Sequence, residues 1–251
     1  MNVPSIFIKN ATLAYENTLL FENINLNLPA KQSICLLGPS GVGKSSLLRL
    51  IANLIQSSKD VKLISGSITS DDNLSLDNRI AYMAQSDNLL PWLSVEKNIT
   101  LGARLRREKI DLDKLDFLLK ALDLLNAKHK LPARLSGGMR QRTALARTLY
   151  EDKPIILMDE PFSALDIVTR LELQDLTNHL LIDRTVFLVT HDPLEALRLA
   201  DCIYVMSGSP ATLIEAMTVK IGKPRTPNDP ELLQKYAHLL ELLYLAKGKQ
   251  S

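Results

Sequence analysis

The sequence predicts an α/β fold with a largely parallel sheet, on three observations. Apolar runs of strand length alternate with segments whose apolar residues recur at helical spacing. A glycine-rich turn, Gly38–Ser45, joins one such run to one such helix. Two stretches depart from the alternation: the first thirty residues read as short β runs, and residues 87–150 read as mainly helical.

In chain order, Ile6–Ile8, Thr12–Tyr15 and Ile24–Leu28 are short, partly alternating runs between Asn-rich turns, which predicts an antiparallel β subdomain. Ser33–Leu37, Arg79–Met83, Pro154–Met158, Thr185–Thr190 and Cys202–Met206 are the expected core strands. Ser46–Ala52 is a helical pattern directly after the glycine-rich turn. Leu112–Leu125 and Thr143–Leu149 repeat apolar residues at helical spacing, which marks an inserted helical subdomain. Residues 224–230 hold three prolines and read as a loop; the leucines of Glu231–Ala246 fall near one stripe, a helix packed on its parent domain. The expected organisation is a core formed by 1–86 and 151–222, a helical subdomain at 87–150 and a helical tail at 223–251.

With 251 residues, 46% of them hydrophobic, the chain can bury a substantial core. A net charge of +2 with mixed signs offers no argument for nucleic-acid binding. Arg104, Arg106, Arg107 and Lys109 precede Asp111 and Asp113, the pattern of a solvated helix face. Cys35 and Cys202 sit in apolar runs and are expected to be buried small hydrophobes in a reducing compartment. No basic stretch followed by an apolar one opens the chain, and no run of about 18 apolar residues occurs. Any membrane role is therefore expected to act through a partner.

Three motifs carry the chemistry. Gly38-Pro39-Ser40-Gly41-Val42-Gly43-Lys44-Ser45 fits the phosphate-binding loop at every fixed position, with Ser46 opening the helix behind it. Its glycines let successive N–H groups point inward, and the helix N-terminus adds partial positive charge. Lys44 can reach the β- and γ-phosphates, and the Ser45 hydroxyl can ligate Mg²⁺. Second, the apolar run Ile155–Met158 ends in Asp159 and Glu160. Carboxylates at the C-terminal edge of a buried strand suit Asp159 to sit beside Mg²⁺, directly or through water, and Glu160 to polarise an attacking water. Third, Ser136-Gly137-Gly138 opens a helix as a second anion cradle. One nucleotide does not need two cradles from one subunit, which points to a site completed by a second copy of the chain.

With these motifs the chain resembles, over nearly its whole length, the ATP-binding subunits of ABC transporters. The resemblance implies a P-loop NTPase (RecA-like) core with the N-terminal antiparallel β subdomain and the inserted helical subdomain already expected. It implies that Leu135–Gln141 is the signature motif, with Ser136, Gly137, Gly138 and Gln141 closing over ATP held by the partner subunit. Ser163–Asp166 resembles the D-loop, which brings Asp166 to the dimer interface. His191 matches the switch histidine, Gln85 the glutamine that senses γ-phosphate and Mg²⁺, and Tyr15 an aromatic placed against adenine. The implied catalytic set is thus Glu160, His191, Lys44 and Gln85, and the implied metal set Ser45, Gln85 and Asp159. His129, His179 and His238 match no functional position.

Leu90–Asn98 and Met139-Arg140-Gln141-Arg142 are similar to the nitrate, sulfonate and taurine importer group, and importers of thiamine-pyrimidine precursors share these traits. The cargo stays open between them. Trp92, the only tryptophan, is either a core anchor or a neighbour of the groove that receives the membrane subunit. Residues 55–61 lack the glycine that commonly closes the helix after the phosphate loop. The implied assembly is a homodimer binding ATP and Mg²⁺, peripheral on the cytoplasmic side of the inner membrane, with permease subunits and, indirectly, a solute-binding protein. A soluble regulatory or nucleic-acid-associated ABC ATPase is the alternative from another class, and a substrate-phosphorylating P-loop kinase the third.

Overall fold

The structure is a computed structural model that describes residues 2–16, 18–55 and 61–248, so most of the interval lacking the helix-closing glycine lies outside the described residues. Its strands are β1 (Ile6–Tyr15), β2 (Thr18–Leu28), β3 (Ser33–Leu37), β4 (Val61–Ser70), β5 (Ile80–Met83), β6 (Ile155–Asp159), β7 (Thr185–Val189), β8 (Cys202–Gly208) and β9 (Ala211–Thr218). Its helices are α1 (Lys44–Ile51), α2 (Val95–Ile99), α3 (Leu101–Leu105), α4 (Leu112–Ala121), α5 (Gly137–Tyr150), α6 (Ile167–Leu180), α7 (Pro193–Leu199) and α8 (Pro230–Gly248). The sheet runs in the order β4-β1-β2-β9-β8-β3-β7-β6-β5. Its β8-β3-β7-β6-β5 half is parallel, as the expected α/β class requires.

The period-2 geometry of the strands builds a core on both faces. On β3, Ile34 and Leu36 join the cluster containing α1 and the inner faces of β1 and β2. Cys35 and Leu37 join the opposite cluster, which runs through α4, α5, α7 and α8. β6 divides the same way, Ile155 and Leu157 against Ile156 and Met158. Every residue of β6 and β7 is buried, which is why both read as unbroken apolar runs.

The β region differs from expectation in three ways. β1 is one strand where two runs were expected, because Asn10 takes φ 50° and the register shifts between Ile8 and Ala11, a bulge that interrupts the alternation without ending the pairing. β4 supplies a third antiparallel strand from well beyond the first thirty residues. β2 also meets β9 at Phe21 and Ala211, so the antiparallel strands are continuous with the core sheet.

Helix boundaries shift as well. α4 stops at Ala121 rather than Leu125, because Asp123 takes φ 50°; a 3₁₀ turn at Leu125–Ala127 follows. The basic cluster is exposed, yet it occupies the end of α3 and the turn at Arg107 (φ 59°) rather than a helix face. Cys35 is buried, but Cys202 is only half-buried, beside Glu215. The tail is pinned by the buried Arg225, which donates to the carbonyls of Leu197, Ala200, Val219 and Ile221. Leu232, Leu239 and Ala246 of α8 are buried, the expected packing stripe.

Candidate active site

β3 ends at Leu37 and the chain turns at once into the phosphate loop. At Gly38 a Cβ would lie 2.4 Å from the Met206 carbonyl oxygen of β8, so no side chain fits. Gly43, at φ 109°, caps α1 in a conformation that L side chains rarely adopt. Lys44, 8% exposed, turns its Nζ back to donate to Gly38 O (2.8 Å) and Pro39 O (2.9 Å). Burial lowers its pKa, while Glu160 and Asp159 hold it up. Ser40 and Gly41 are exposed, Val42 is buried, and Ser45 and Ser46 are half-buried in the first turn of α1.

β6 delivers the acid pair to the same edge. Asp159 is 1% exposed, and among the described residues neither carboxylate oxygen has a hydrogen-bond partner. Burial pushes its pKa up; the neighbouring Ser45, Arg49 and Lys44 pull it down. Two orphaned oxygens in a buried position normally cost free energy. They suit a hard divalent cation, and Mg²⁺ commonly takes one or two carboxylates together with substrate phosphates. Glu160 takes φ 52°, a strained conformation for a non-glycine residue. Its N–H donates to Val189 O (2.9 Å), which anchors the turned residue to β7. Its Oε2 lies 2.6 Å from His191 Nδ1 at the end of the Thr190–Asp192 turn. Burial raises the Glu160 pKa, and His191 and Lys44 draw it back toward the ionised form.

The second cradle is built at the N-terminus of α5. The Ser136 side chain accepts from Met139 N (3.2 Å), while Ser136 and Gly137 stay exposed. A Cβ on Gly138 would meet Leu165 Cδ2 at 3.3 Å, so the helix end packs close against the D-loop-like turn of its own chain. Among the described residues no hydrogen bond joins 136–138 to 38–45. Gln141, expected over the nucleotide, is buried instead. Its Nε2 donates to Glu160 O (2.9 Å) and its Oε1 accepts from Ala164 N (2.7 Å), so both ends of the amide hold backbone. Asp166 is exposed and caps α6 by accepting from Thr169 N (3.0 Å).

The remaining expected residues are more peripheral. Gln85 is exposed after β5 and lines an open cavity of about 440 Å³ with Arg49, Tyr82 and Asn88. Tyr15 is half-exposed at the end of β1. Trp92 is 69% exposed, which rules out the core anchor. His129, His179 and His238 are exposed.

Sequence reasoning missed the residues that hold these loops in place. Asn98, fully buried, accepts from Leu90 N (2.8 Å) and donates to the carbonyls of Leu90, Leu93 and Ser94, which fixes the turn presenting Trp92. Arg147 donates to Asp87 O and Asn88 O, and Arg140 to Asp87 Oδ2, securing the segment after Gln85. A polar residue on the buried face of α2 was the available signal; the two arginines of α5 are only half-buried.

The model of the family described as "ABC transporter" matches residues 21–163. An uncharacterized ABC transporter ATP-binding protein of Haemophilus influenzae is 43% identical over 242 residues, 94% of this chain and 97% of that protein. An aliphatic sulfonates import ATP-binding protein of Pseudomonas syringae pv. tomato is 38% identical over 236 residues, 93% of this chain and 96% of that protein. Among solved structures, the ATP-binding cassette MJ0796, in a dimeric post-hydrolysis state bound to ADP and Pi, superposes with a TM-score of 0.74 at 28% identity. That match covers 86% of this chain and all of that one.

Proposed function

The chain belongs to the ABC transporter family as an ATP-hydrolysing subunit, and we propose that it energises import of a small sulfonate-type solute through a separate membrane permease. The observation that carries the reading is the convergence of Lys44, orphaned Asp159, strained Glu160 and His191 on one sheet edge. The import names of relatives such as the Pseudomonas syringae protein support the cargo class.

In this reading the 38–45 loop holds the triphosphate, with Lys44 exchanging its bonds to Gly38 O and Pro39 O for phosphate oxygens. Ser45, Asp159 and Gln85 would hold Mg²⁺, which supplies charge neutralisation on the β- and γ-phosphates. Glu160 orients and polarises the attacking water. Its burial makes it more basic than a free carboxylate, and the His191 contact keeps it aimed and ionised. Ser136–Gly138 serve the ATP of a second copy, and Tyr15 lies toward the base. The dimeric cassette MJ0796 supports the homodimer. Residues 87–150 act as the helical subdomain, with Trp92 facing the permease and a solute-binding protein acting further upstream. No described helix is long and apolar enough to cross a membrane, in keeping with a peripheral subunit at the cytoplasmic face of the inner membrane.

Glu160→Gln tests the assignment. Turnover is expected to fall by about 10²–10⁴-fold, while ATP binding persists and a dimer accumulates in size-exclusion chromatography with ATP. Robust hydrolysis by this variant would overturn the role given to Glu160. Fractionation with a polytopic partner separates an importer subunit from a soluble ATPase.

A further inference from the structure

The 163–166 turn and the His191 turn lie at the starts of α6 and α7, and one side chain touches both. Arg170, in the first turns of α6, donates through Nη2 to Leu165 O (3.0 Å). Through Nη1 it reaches Asp192 Oδ2 (3.4 Å), next to His191. Asp192 is itself locked: its N–H donates to Thr190 Oγ1 (3.1 Å), and its Oδ1 accepts from Leu194 N (2.9 Å) and Glu195 N (3.3 Å). His191 then touches the Glu160 carboxylate. One turn further along α6, Gln174 donates to the buried Glu195 of α7 (3.2 Å) and accepts from Arg198. Two successive turns of α6 are therefore fastened to the helix that carries the His191 turn.

Charge adds direction to this contact. Glu160 and Asp192 bring carboxylates to the turn from the end of β6 and from the turn itself, while the buried Glu195 of α7 stays protonated beside them. The other nearby guanidinium, Arg198, is spent on Asp175 and Gln174, which leaves Arg170 as the cation reaching the Asp192 carboxylate. A lysine presents its donors from a single nitrogen and lacks the planar fork whose two nitrogens reach the two acceptors here.

We propose that Arg170 is a positioning residue that ties the 163–166 turn to the His191 turn within one chain and thereby holds the Glu160–His191 contact in its working geometry. The proposal rests on reading Glu160 as the water-polarising group. A residue of this kind governs turnover rather than nucleotide affinity.

The test is steady-state ATPase kinetics of the full chain with Arg170→Ala, Arg170→Lys, Asp192→Asn and the double variant Arg170→Ala/Asp192→Asn. Asp192→Asn keeps a capping oxygen and removes the charge. Expected results are a fall in kcat of at least tenfold in both Arg170 variants, KM for ATP within twofold of the parent, and no further loss in the double variant. Lysine, which keeps the charge and most of the packing, carries the test if alanine does not fold. A kcat within threefold of the parent in Arg170→Lys, a loss confined to KM, or additive losses in the double variant would each overturn the proposal. In those cases Glu160→Gln would remain inactive, whereas an active Glu160→Gln would instead remove the reading beneath it.

Discussion

Glu195 offers a quantitative test of the packing behind the site. Glu195 is 4% exposed, with one carboxyl oxygen bonded to Gln174 and, among the described residues, the other without a partner. Burial, reinforced by Asp192 and Glu160 and opposed by Thr190 and Arg170, lifts its pKa from 4.5 to about 8. The folded chain thus keeps a proton that the unfolded chain releases between about pH 4.5 and 8. Fewer protons on the unfolded state mean that stability falls as pH rises through that window and levels off above it. The full window, 8 − 4.5 at 1.36 kcal/mol per pH unit, is on the order of 5 kcal/mol, of which about 3 kcal/mol falls between pH 6 and 9. Glu195→Gln keeps the shape and removes the titration. Urea unfolding of both proteins at pH 6, 7, 8 and 9, without nucleotide, should show the parent losing this increment and the variant keeping it. A thermal scan should register the same difference as several degrees, since 1 kcal/mol moves the melting temperature of a domain this size by about 2–4 °C. Parallel pH profiles for the two proteins would refute the claim that Glu195 is buried neutral.

The other consequences are more local. Gln141→Ala strips a donor from Glu160 O and an acceptor from Ala164 N, so urea unfolding should show a loss of about 1–3 kcal/mol; calorimetric ATP affinity of the isolated subunit should stay unchanged. Trp92→Ala removes an exposed ring and should leave stability within about 0.5 kcal/mol. The same variant should nevertheless lose its membrane partner in co-purification.

What could be read from the sequence depended on whether the physics was local. The phosphate loop was legible because its geometry constrains adjacent residues: a glycine with no room for a Cβ at 38, a glycine with φ 109° at 43, and a lysine directly after it. β6 was legible because a strand covered on both faces must be apolar throughout. β4 was not, since most of its side chains are exposed and no alternation marks it. Trp92 shows the limit of residue type as a guide: the chain's one tryptophan lies at the surface, held there by an asparagine whose four bonds no pattern announces.

Gln141 marks the boundary between what is legible and what is not, and it also connects the start of α5 to the acid at the end of β6. Its position after Ser136–Gly138 suggested a nucleotide contact, yet 141, 144, 145 and 148 are all buried, the stripe by which α5 faces its own core. The helical period contained that signal; the motif obscured it. One helix consequently presents an anion cradle at its exposed end and, just over a turn later, holds the carbonyl of Glu160 and the amide of Ala164. Arg170 grips the next residue, Leu165, and passes the contact to Asp192 beside His191. The helix that bears the cradle therefore also holds the backbone of Glu160 in its strained conformation, so the start of α5, the 163–166 turn and the acid of β6 cannot shift independently.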